Sequence, residues 1–404
     1  MTDHTVVIHR WRDSHALYDD YLDHRARTVS YVTTPMGRQA VPAGAAGVVV
    51  VDATDDLAEV RKAVAGLVER FGPLTRLVAL NEGDLDTAAA LRAELGCAGQ
   101  RPKELERFRD KLTMTRTVAE AGLRTPAYAD APDEAAVLEF AAGHGWPVIV
   151  KPRRGTASRA VLRLDSAADL PALREQPAEP RLVQSYCGDG IYHIDGLWTG
   201  TGLGPWRASR YLNTCVEFTN GAVLGSVEED DPELLAALGG FTAALAGTLS
   251  DQPWVFHLEV FVGRDPEGSP RLTFLEAGYR VGGAEIPFVW REVHGVDLMS
   301  AALAVQLGEQ PVLPRIPDDG DTGGWLLVPT PIGTPCRVVA TELRIAPEHG
   351  PYTQVVPPVG YRVPKVGGYE HVGARFRFRG AGTAAVAGAI LATAADFRLE
   401  CVPE

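Results

Sequence analysis

The sequence predicts an α/β protein that begins with a doubly wound domain built on a parallel β-sheet. Within residues 1–100, short apolar runs such as 47–51 alternate with segments such as 57–68, whose apolar residues recur at helical spacing. That alternation is typical of parallel strands connected by helices. Further along the chain, two alternating apolar runs flank a loop rich in Gly, Pro and Asp, and they predict a long β-hairpin over 254–283.

Length, charge and cysteine content restrict the class of protein. The chain has 404 residues, which is too long for one ordinary core and predicts about two to four domains or subdomains. A net charge of −13 argues against nucleic-acid and anionic-membrane partners, which require basic surfaces. Five scattered cysteines without a CxxC spacing predict reduced thiols in a cytoplasmic protein, and the N-terminus lacks the apolar segment of a signal peptide. The sequence contains no run of about 18 apolar residues, so no membrane span is predicted. The expected partners are small molecules, and a homodimer is compatible with these features.

The predicted hairpin brings two acidic side chains together. With a turn at 267–268, Glu259 is expected directly opposite Glu276, and both share one face with Arg280 because side chains alternate along a strand. Like charges opposite each other destabilise a sheet, so the pair predicts a shared cation. Carboxylate oxygens suit Mg²⁺ that is held together with phosphates. The alternative is a solvated face that carries two incidental acids.

The same register predicts further neighbours of these acids. Phe261 is expected opposite Phe274, and His257 opposite Gly278. Both phenylalanines would then lie on the face of the glutamates, where apolar side chains argue against a fully solvated surface.

A basic loop forms a second candidate site. Lys151 ends the predicted strand 147–151, and the small residues Gly155, Thr156 and Ser158 follow it in the segment PRRGTASRAV. Small residues let backbone N–H groups surround phosphate oxygens, and a lysine adds positive charge. A solvated basic turn is the alternative. Lys111, near the start of a helix predicted over 107–121, would by itself more often be a surface lysine.

Taken together, these features resemble those of ATP-grasp carboxylate–amine ligases. The resemblance covers residues 75–310, and its motifs occur in the order of that family. They are the acidic strand end at 81–84, RDK at 109–111, the lysine strand with its small-residue loop, RLVQSYC at 181–187, and the HLE…LEAGYRVGG hairpin. Within the family, E-x-G-x-R-x-G-G at 276–283 and the segment after 320 are similar to the pattern of L-amino-acid (dipeptide) ligases.

The resemblance implies ATP and Mg²⁺ as cofactors, with Mn²⁺ as an alternative metal, and a role for each matching residue. Glu259 and Glu276 would bind the metal. Arg280 would stabilise the acyl phosphate and its tetrahedral adduct, and Lys151 would act with it in catalysis. The residues implied in nucleotide binding are Lys111, Lys151, Gly155, Thr156, Ser158, Gln184, Tyr186, Cys187, Asp189, Phe261 and Phe274.

Three positions depart from the family pattern. Ile191 lies where many members hold the ribose with an acid, and Asp189 is the candidate substitute. Gly278 lies where many members have a metal-binding Asn, although the dipeptide ligases commonly have Gly. Ala160 replaces a frequent loop glycine.

The implied ATP-grasp fold divides the chain into four units. Residues 1–105 would form the N-terminal α/β domain and 106–190 a mobile lid subdomain. Residues 191–315 would form the large subdomain with the hairpin, and 316–404 a β-rich C-terminal domain. The last boundary follows a segment rich in Pro and Asp at 310–321. Nothing in the C-terminal segment points to chemistry, so a sheet that closes the preceding subdomain is expected.

The implied reaction is amide-bond formation through an acyl phosphate, with release of ADP and phosphate. The alternatives are a biotin-carboxylase-like or purine-pathway ATP-grasp enzyme, a simple kinase, and a non-catalytic ATP-binding protein. The general base for the amine is unassigned, and its candidates are His193, Asp195 and His257. The substrate pocket is expected between 285–295, 206–211 and the region of Glu82, with selectivity from Phe288, Trp290, Arg291 and Glu292.

Overall fold

The computed structural model describes residues 4–11, 15–156, 158–317, 320–346, 349–364 and 372–404. Its strands are β1 (His4–His9), β2 (Thr28–Thr33), β3 (Gly47–Val50), β4 (Arg76–Ala79), β5 (Tyr128–Asp130), β6 (Val148–Pro152), β7 (Leu162–Leu164), β8 (Arg181–Ser185), β9 (Gly190–Trp198), β10 (Leu203–Tyr211), β11 (Leu224–Glu228), β12 (Trp254–Arg264), β13 (Pro270–Gly278), β14 (Thr322–Val328), β15 (Cys336–Glu342), β16 (Thr353–Val355), β17 (Arg362–Val363), β18 (Ala374–Gly380) and β19 (Arg398–Pro403). Its α-helices are α1 (Tyr18–Tyr21), α2 (Leu57–Phe71), α3 (Leu85–Leu95), α4 (Pro102–Arg109), α5 (Lys111–Glu120), α6 (Glu134–His144), α7 (Cys215–Thr219), α8 (Pro232–Leu249), α9 (Ile286–His294), α10 (Leu298–Leu307) and α11 (Thr383–Asp396).

The N-terminal sheet is parallel, with the strand order β3-β2-β1-β4, which confirms the predicted α/β arrangement. One face packs on α2 and α3, and the other packs on α1 and α10. Because β2 and β3 extend the sheet to one side of β1 and β4 lies on the other side, the strand order reverses between β1 and β4, and their carboxyl ends border a crevice. Ligands bind at such crevices in open α/β sheets.

A second, four-stranded sheet has the order β5-β8-β6-β7 and is called the small sheet below. It is preceded by two helices where the sequence predicted one over 107–121. The helix is interrupted at Asp110, whose backbone is extended and whose carboxylate accepts a hydrogen bond from the N–H of Thr113 at 2.9 Å. An aspartate that caps the following helix in this way ends the preceding one. The interruption makes Lys111 the first residue of α5.

The third sheet has eight strands in the order β13-β12-β9-β10-β11-β14-β18-β16 and is called the central sheet. Strands β14, β18 and β16 come from the C-terminal segment, so that segment extends the central sheet. Helix α11 packs on its outer part, and β17, β15 and β19 form a separate three-stranded sheet. All five cysteines carry free thiols, and those of Cys97 and Cys336 are buried.

The hairpin forms at β12–β13, and its register is confirmed at the acids. Glu259 pairs with Glu276 and His257 with Gly278, but Phe261 pairs with Thr273. The predicted pairing of Phe261 with Phe274 is wrong because a β-bulge places Leu275 in β13 as an extra residue. The bulge turns Phe274 to the opposite face, where it is fully buried in the hydrophobic core. Phe274 is therefore not a nucleotide contact.

Helix α8 is the one helix in the described part of the chain that is long and apolar enough to cross a membrane, judged by length and composition. Its residues Leu238, Leu245 and Leu249 are fully buried against the central sheet. The apolar stripe of this helix is therefore core packing, as the sequence predicted.

Candidate active site

The glutamates of the hairpin lie beside a lysine and a backbone loop from other parts of the chain. The ammonium of Lys111 lies 2.8 Å from Glu276 Oε1 and donates to the carbonyl oxygen of Gly155 at 2.8 Å. Lys111 is buried, and it is not a surface lysine. Tyr211 adds a hydrogen bond from its hydroxyl to Glu259 Oε1 at 3.2 Å. The hairpin, the start of α5 and the small-residue loop therefore meet at one point.

A second lysine faces the same acids from the small sheet. Lys151 is 5% exposed. Burial lowers the pKa of its ammonium to about 8, against the attraction of Glu276 and Glu259 and with the repulsion of Lys111. Burial and the neighbouring lysine disfavour the charged ammonium of Lys151. A bound anion would stabilise it, so the site is suited to bind one.

The small-residue loop follows Lys151 and is tied to α5. The N–H of Lys111 donates to the carbonyl of Arg153 at 2.8 Å, and the guanidinium of Arg153 pairs with Asp110 at 2.8 Å. Of the predicted loop, Gly155, Thr156 and Ser158 are described, and position 157 lies outside the described residues. Ala160 has φ +54°, a conformation that glycine adopts at less cost.

The residues implied in adenine binding lie in strand β8 and directly after it. Gln184 is buried and pairs with Ile149, while Lys151 pairs with Leu182, so the side chains of Gln184 and Lys151 share one face. The next residues leave the strand. The ring of Tyr186 lies under a guanidinium, with Arg163 Cζ 4.3 Å from the ring centroid, and the thiol of Cys187 points to Asp189 at 3.6 Å.

The position expected to hold the ribose is apolar on one side and ionic on the other. Ile191 pairs with Phe261 across β9 and β12, so both side chains lie on the face of Glu259. Asp189 is 3.0 Å from Arg271 in an ion pair. Phe261 is half-buried, as expected for a side chain at the edge of a cleft.

Arg280 is half-buried and is joined to the N-terminal domain through two buried charged residues, Glu82 and Arg109. Its Nε donates to Glu82 Oε2 at 2.7 Å, and Glu82 Oε1 accepts from Arg109 at 2.6 Å. Burial alone would raise the pKa of the Glu82 carboxyl, but Arg280 and Arg109 outweigh burial and hold that pKa below its ordinary value. Sequence reasoning assigned no role to Glu82 beyond the neighbourhood of the pocket. The only signal was an acid at the carboxyl end of a strand.

The three candidates for the general base form one buried cluster. Asp195 accepts from His193 Nδ1 at 2.6 Å and from His257 Nδ1 at 2.8 Å. Burial opposes the charge of Asp195, but the two imidazoles outweigh it and hold the pKa of this carboxyl well below its usual range. His193 Nε2 contacts the hydroxyl of Ser226 at 2.7 Å. Both nitrogens of His193 are therefore engaged, which makes His193 a structural residue.

The segment 285–295 is helical and largely buried, so it offers fewer free side chains than expected. Phe288 and Trp290 are buried in the core. Arg291 donates to the carbonyl of His15 at 3.2 Å, and Glu292 accepts from the Tyr352 hydroxyl at 2.9 Å. The expected selectivity of this segment stays a prediction.

Two arginines of the C-terminal segment hold the start of α9. Glu285, at 0% exposure, lies 3.3 Å from Arg375 Nη1 and 2.8 Å from Arg377 Nε. Arg377 also pairs with Glu292. Because α9 directly follows the loop that begins at Arg280, these pairs tie β18 to the site. These pairs could not be predicted from local patterns, because Glu285 and Arg375 are 90 residues apart.

Loss of this buried pair is expected to destabilise the fold. Glu285→Gln should lower the free energy of unfolding by about 3–5 kcal/mol, because it removes the buried carboxylate that the guanidinium groups of Arg375 and Arg377 share. Urea denaturation measures the change. The control is Glu309→Gln, whose pair with Arg27 at 2.9 Å is solvent-exposed and contributes about 0–1 kcal/mol. Equal stability losses in the two variants would contradict the prediction.

A cavity of about 460 Å³ lies elsewhere in the small sheet, beside Val150 and the start of α6. Val150 and Lys151 are neighbours in β6, so their side chains point to opposite faces. The cavity is therefore separate from the site of the lysines and glutamates.

Comparisons with known proteins agree with this architecture. No protein-family model and no curated protein match the sequence. Among solved structures, the chain is similar to an L-amino acid ligase from Bacillus licheniformis, with a TM-score of 0.74 and 15% identity over 99% of this chain and 98% of that one. It is also similar to a phosphoribosylglycinamide synthetase from Anaerococcus prevotii, with a TM-score of 0.69 and 10% identity over 99% and 100% of the two chains.

A third similar structure is that of an enzyme bound to bicarbonate. It is the biotin carboxylase domain of the Hydrogenobacter thermophilus 2-oxoglutarate carboxylase, described as a dimer with MgADP and bicarbonate. The TM-score is 0.68 and the identity 13%, over 100% of this chain and 91% of that one. At such identities the likeness shows the fold.

Proposed function

Because this chain has the ATP-grasp fold, we propose that it is an ATP-dependent carboxylate–amine ligase that forms an amide bond and releases ADP and phosphate. The observation that carries the proposal is the pair of facing glutamates, Glu259 and Glu276, with two buried lysines beside them. Facing acids with neighbouring lysines form a site for a metal ion bound to phosphates.

The residues present fit a divalent cation. Both carboxylates are half-buried and directly opposite, and Glu276 already holds the cationic group of Lys111 at 2.8 Å. Two facing carboxylates would hold Mg²⁺, or Mn²⁺ in its place. When bound with ATP, the ion would neutralise part of the negative charge on the phosphates.

Other residues of the site would bind the phosphates and the adenine of ATP. Lys111 and Lys151 would bind phosphate oxygens, and the loop with Gly155 would cover them and exclude water. Gln184 in β8, together with Tyr186 and Cys187 after the strand, would hold adenine beside Phe261. Asp189 would be the polar group nearest the ribose position.

Arg280 completes the proposed reaction. A carboxylate is a poor electrophile, so its oxygen first attacks the γ-phosphate of ATP to form an acyl phosphate. An amine then attacks the acyl carbon, the guanidinium of Arg280 stabilises the oxyanion, and phosphate leaves. The general base for the amine stays unassigned.

Amino acids are the proposed substrates. Support comes from Arg280, a guanidinium that Glu82 holds in place at 2.7 Å and that suits the carboxylate of a substrate. The likeness to an L-amino acid ligase over nearly the whole chain agrees with this choice. We also propose the four-unit division at 105, 190 and 315, with 106–190 as a mobile lid, and a homodimer as the assembly.

A screen of ADP release over pairs of amino acids, with mass spectrometry of the products, tests the proposal. The expected result is ADP formation that requires both a carboxylate and an amine. ADP release that depends on bicarbonate or a ribonucleotide would instead indicate a carboxylase-like or purine-pathway enzyme. A stable phosphorylated product without an amine requirement would indicate a kinase. Binding of MgATP without turnover on any acceptor would indicate a non-catalytic protein.

The affinity for ATP is expected to fall as the pH rises through about 8. Lys151 carries its ammonium below a pKa of about 8 and loses it above that value. Because the phosphates attract the protonated form, KM for ATP should rise by about tenfold between pH 7 and pH 9. Steady-state kinetics across this range measures the effect. Lys151→Arg is the control, since a guanidinium stays charged. A wild-type profile as flat as that of the arginine variant would refute this role of Lys151.

A further inference from the structure

Arg109 lies at the junction of α4 and α5, where three consecutive residues contact three parts of the site. Lys111 contacts the hairpin, and Asp110 contacts the segment that leads into the small-residue loop. Arg109 instead turns to the N-terminal domain, where its Nη1 lies 2.6 Å from Glu82 Oε1 and its Nε lies 3.0 Å from Asp86 Oδ2. Arg109 is buried, and the proposed reaction gives this cation no role.

Glu82 is shared by two arginines. Its Oε1 accepts from Arg109, and its Oε2 accepts from Arg280 Nε at 2.7 Å. A carboxylate often binds one guanidinium through both oxygens, and such a bidentate pair compensates the charge of the arginine. Because Arg109 occupies Oε1, Glu82 reaches Arg280 through one oxygen only. Two cations then share one anion, and Arg280 keeps part of its positive charge.

The guanidinium of Arg280 lies beside the facing glutamates. A Cβ on Gly278 would be 3.5 Å from Arg280 Nε, and Gly278 is on the same face of β13 as Glu276 because it follows two residues later. Arg280 Nη1 donates to the carbonyl of Val281 at 3.0 Å, and Nη2 donates to no residue in the part of the chain that the structure describes. Arg280 therefore has a donor for a substrate oxygen in addition to its charge.

The second contact of Arg109 fixes the direction of its guanidinium. Asp86 accepts from Arg109 Nε through Oδ2, while Asp86 Oδ1 accepts from Arg154 Nη1 at 2.8 Å. The side chains of Asp86 and Arg154 are 45% and 41% exposed, so water and salt screen their pair and it contributes little. The buried pair of Arg109 with Glu82 is therefore the part of this network that we expect to act on Arg280.

On the basis of the proposed function, we propose that Arg109 is a positioning residue for the reaction. It holds Glu82 to a single contact with Arg280 and thereby preserves the charge and the donor that Arg280 offers to the substrate carboxylate and to the oxyanion. Without Arg109, Glu82 is free to turn both oxygens to Arg280 and to neutralise it. The alternative is a structural role, in which Arg109 only compensates the charge of Glu82 in the protein interior.

A double-mutant cycle of Arg109→Met and Glu82→Gln in the full chain tests the proposal. Each variant is assayed for ADP release with the amino-acid pair that gives the fastest release in the wild type. Arg109→Met should lower kcat by about 10–100-fold, while its dissociation constant for MgATP stays within about threefold of the wild type. Adding Glu82→Gln to Arg109→Met should raise kcat by about tenfold, because an amide does not neutralise Arg280 but its oxygen still accepts from Nε.

Two further variants complete the experiment. Arg107→Met makes the same substitution two residues earlier in α4, where Arg107 donates to the carbonyl of Leu249 at 3.0 Å, and it should turn over like the wild type. Urea denaturation verifies that each variant is folded. If Arg109→Met does not fold, Arg109→Gln takes its place in the cycle with the same expected changes in kcat, because it lacks the charge and keeps a donor for Glu82.

The outcomes separate this inference from the proposed function. A kcat of Arg109→Met equal to that of the wild type would overturn the role of Arg109. A double variant that is as slow as Arg109→Met would assign Arg109 a structural role only and would leave the proposed reaction intact. A wild type that releases no ADP with any pair of amino acids would overturn the proposed function, and the inference with it.

Discussion

Arg280→Ala is expected to lower kcat for amino-acid-dependent ADP release by at least about 10²–10³-fold, because it removes the cation proposed to stabilise the oxyanion. The affinity for MgATP should stay within about threefold of the wild type, since Arg280 contacts Glu82 and the backbone of Val281 rather than the lysines proposed to bind the phosphates. Coupled ADP assays and nucleotide titrations measure the two quantities.

The matched control for this variant is Arg264→Ala. Arg264 is at the exposed end of the same hairpin and donates to the carbonyl of Gly268. It should turn over like the wild type. A similar kcat in the wild type and in Arg280→Ala would exclude the oxyanion role, and equal losses in both variants would point to a general effect on the hairpin.

Glu276→Gln is expected to have the second large effect. Removing one of two facing carboxylates halves the charge available to the metal and also removes the partner that Lys111 holds at 2.8 Å. We expect kcat/KM to fall by at least about 10³-fold, with a weaker dependence of nucleotide binding on Mg²⁺. Calorimetric titration of ATP with and without Mg²⁺ measures the second effect.

Glu267→Gln controls for a change of charge at the tip of the hairpin. Glu267 lies in the exposed turn between β12 and β13. This variant should retain the Mg²⁺ dependence of the wild type. Unchanged metal dependence in Glu276→Gln would show that the facing glutamates do not bind the metal, and it would refute the proposed mechanism.

Local patterns in the sequence were sufficient to predict the parts of the site that depend on strand periodicity. The period of two along β12 and β13 correctly placed Glu259 opposite Glu276. It failed at Phe274, because the extra residue Leu275 shifts the side chains between it and the turn to the other face. The apolar pattern of the sequence does not reveal this bulge.

Long-range pairs are the part of the site that the sequence could not predict. Glu82 and Arg280 are 198 residues apart, and nothing local to either residue indicates the other. The same holds for Glu285 and Arg375, which join α9 to the C-terminal strand β18. The interruption at Asp110 is an intermediate case, because an aspartate is a recognisable cap but is also common inside solvent-exposed helices.

In the proposed reaction, a substrate carboxylate attacks the γ-phosphate of ATP, and the acyl group is then transferred to an amine. The most direct test uses an amino-acid substrate with ¹⁸O in its carboxylate and follows the isotope in the released phosphate by mass spectrometry. Attack on the γ-phosphate predicts one ¹⁸O atom in each phosphate, formed together with ADP and only when an amine is present. Unlabelled phosphate, or labelled AMP in its place, would contradict the acyl-phosphate mechanism.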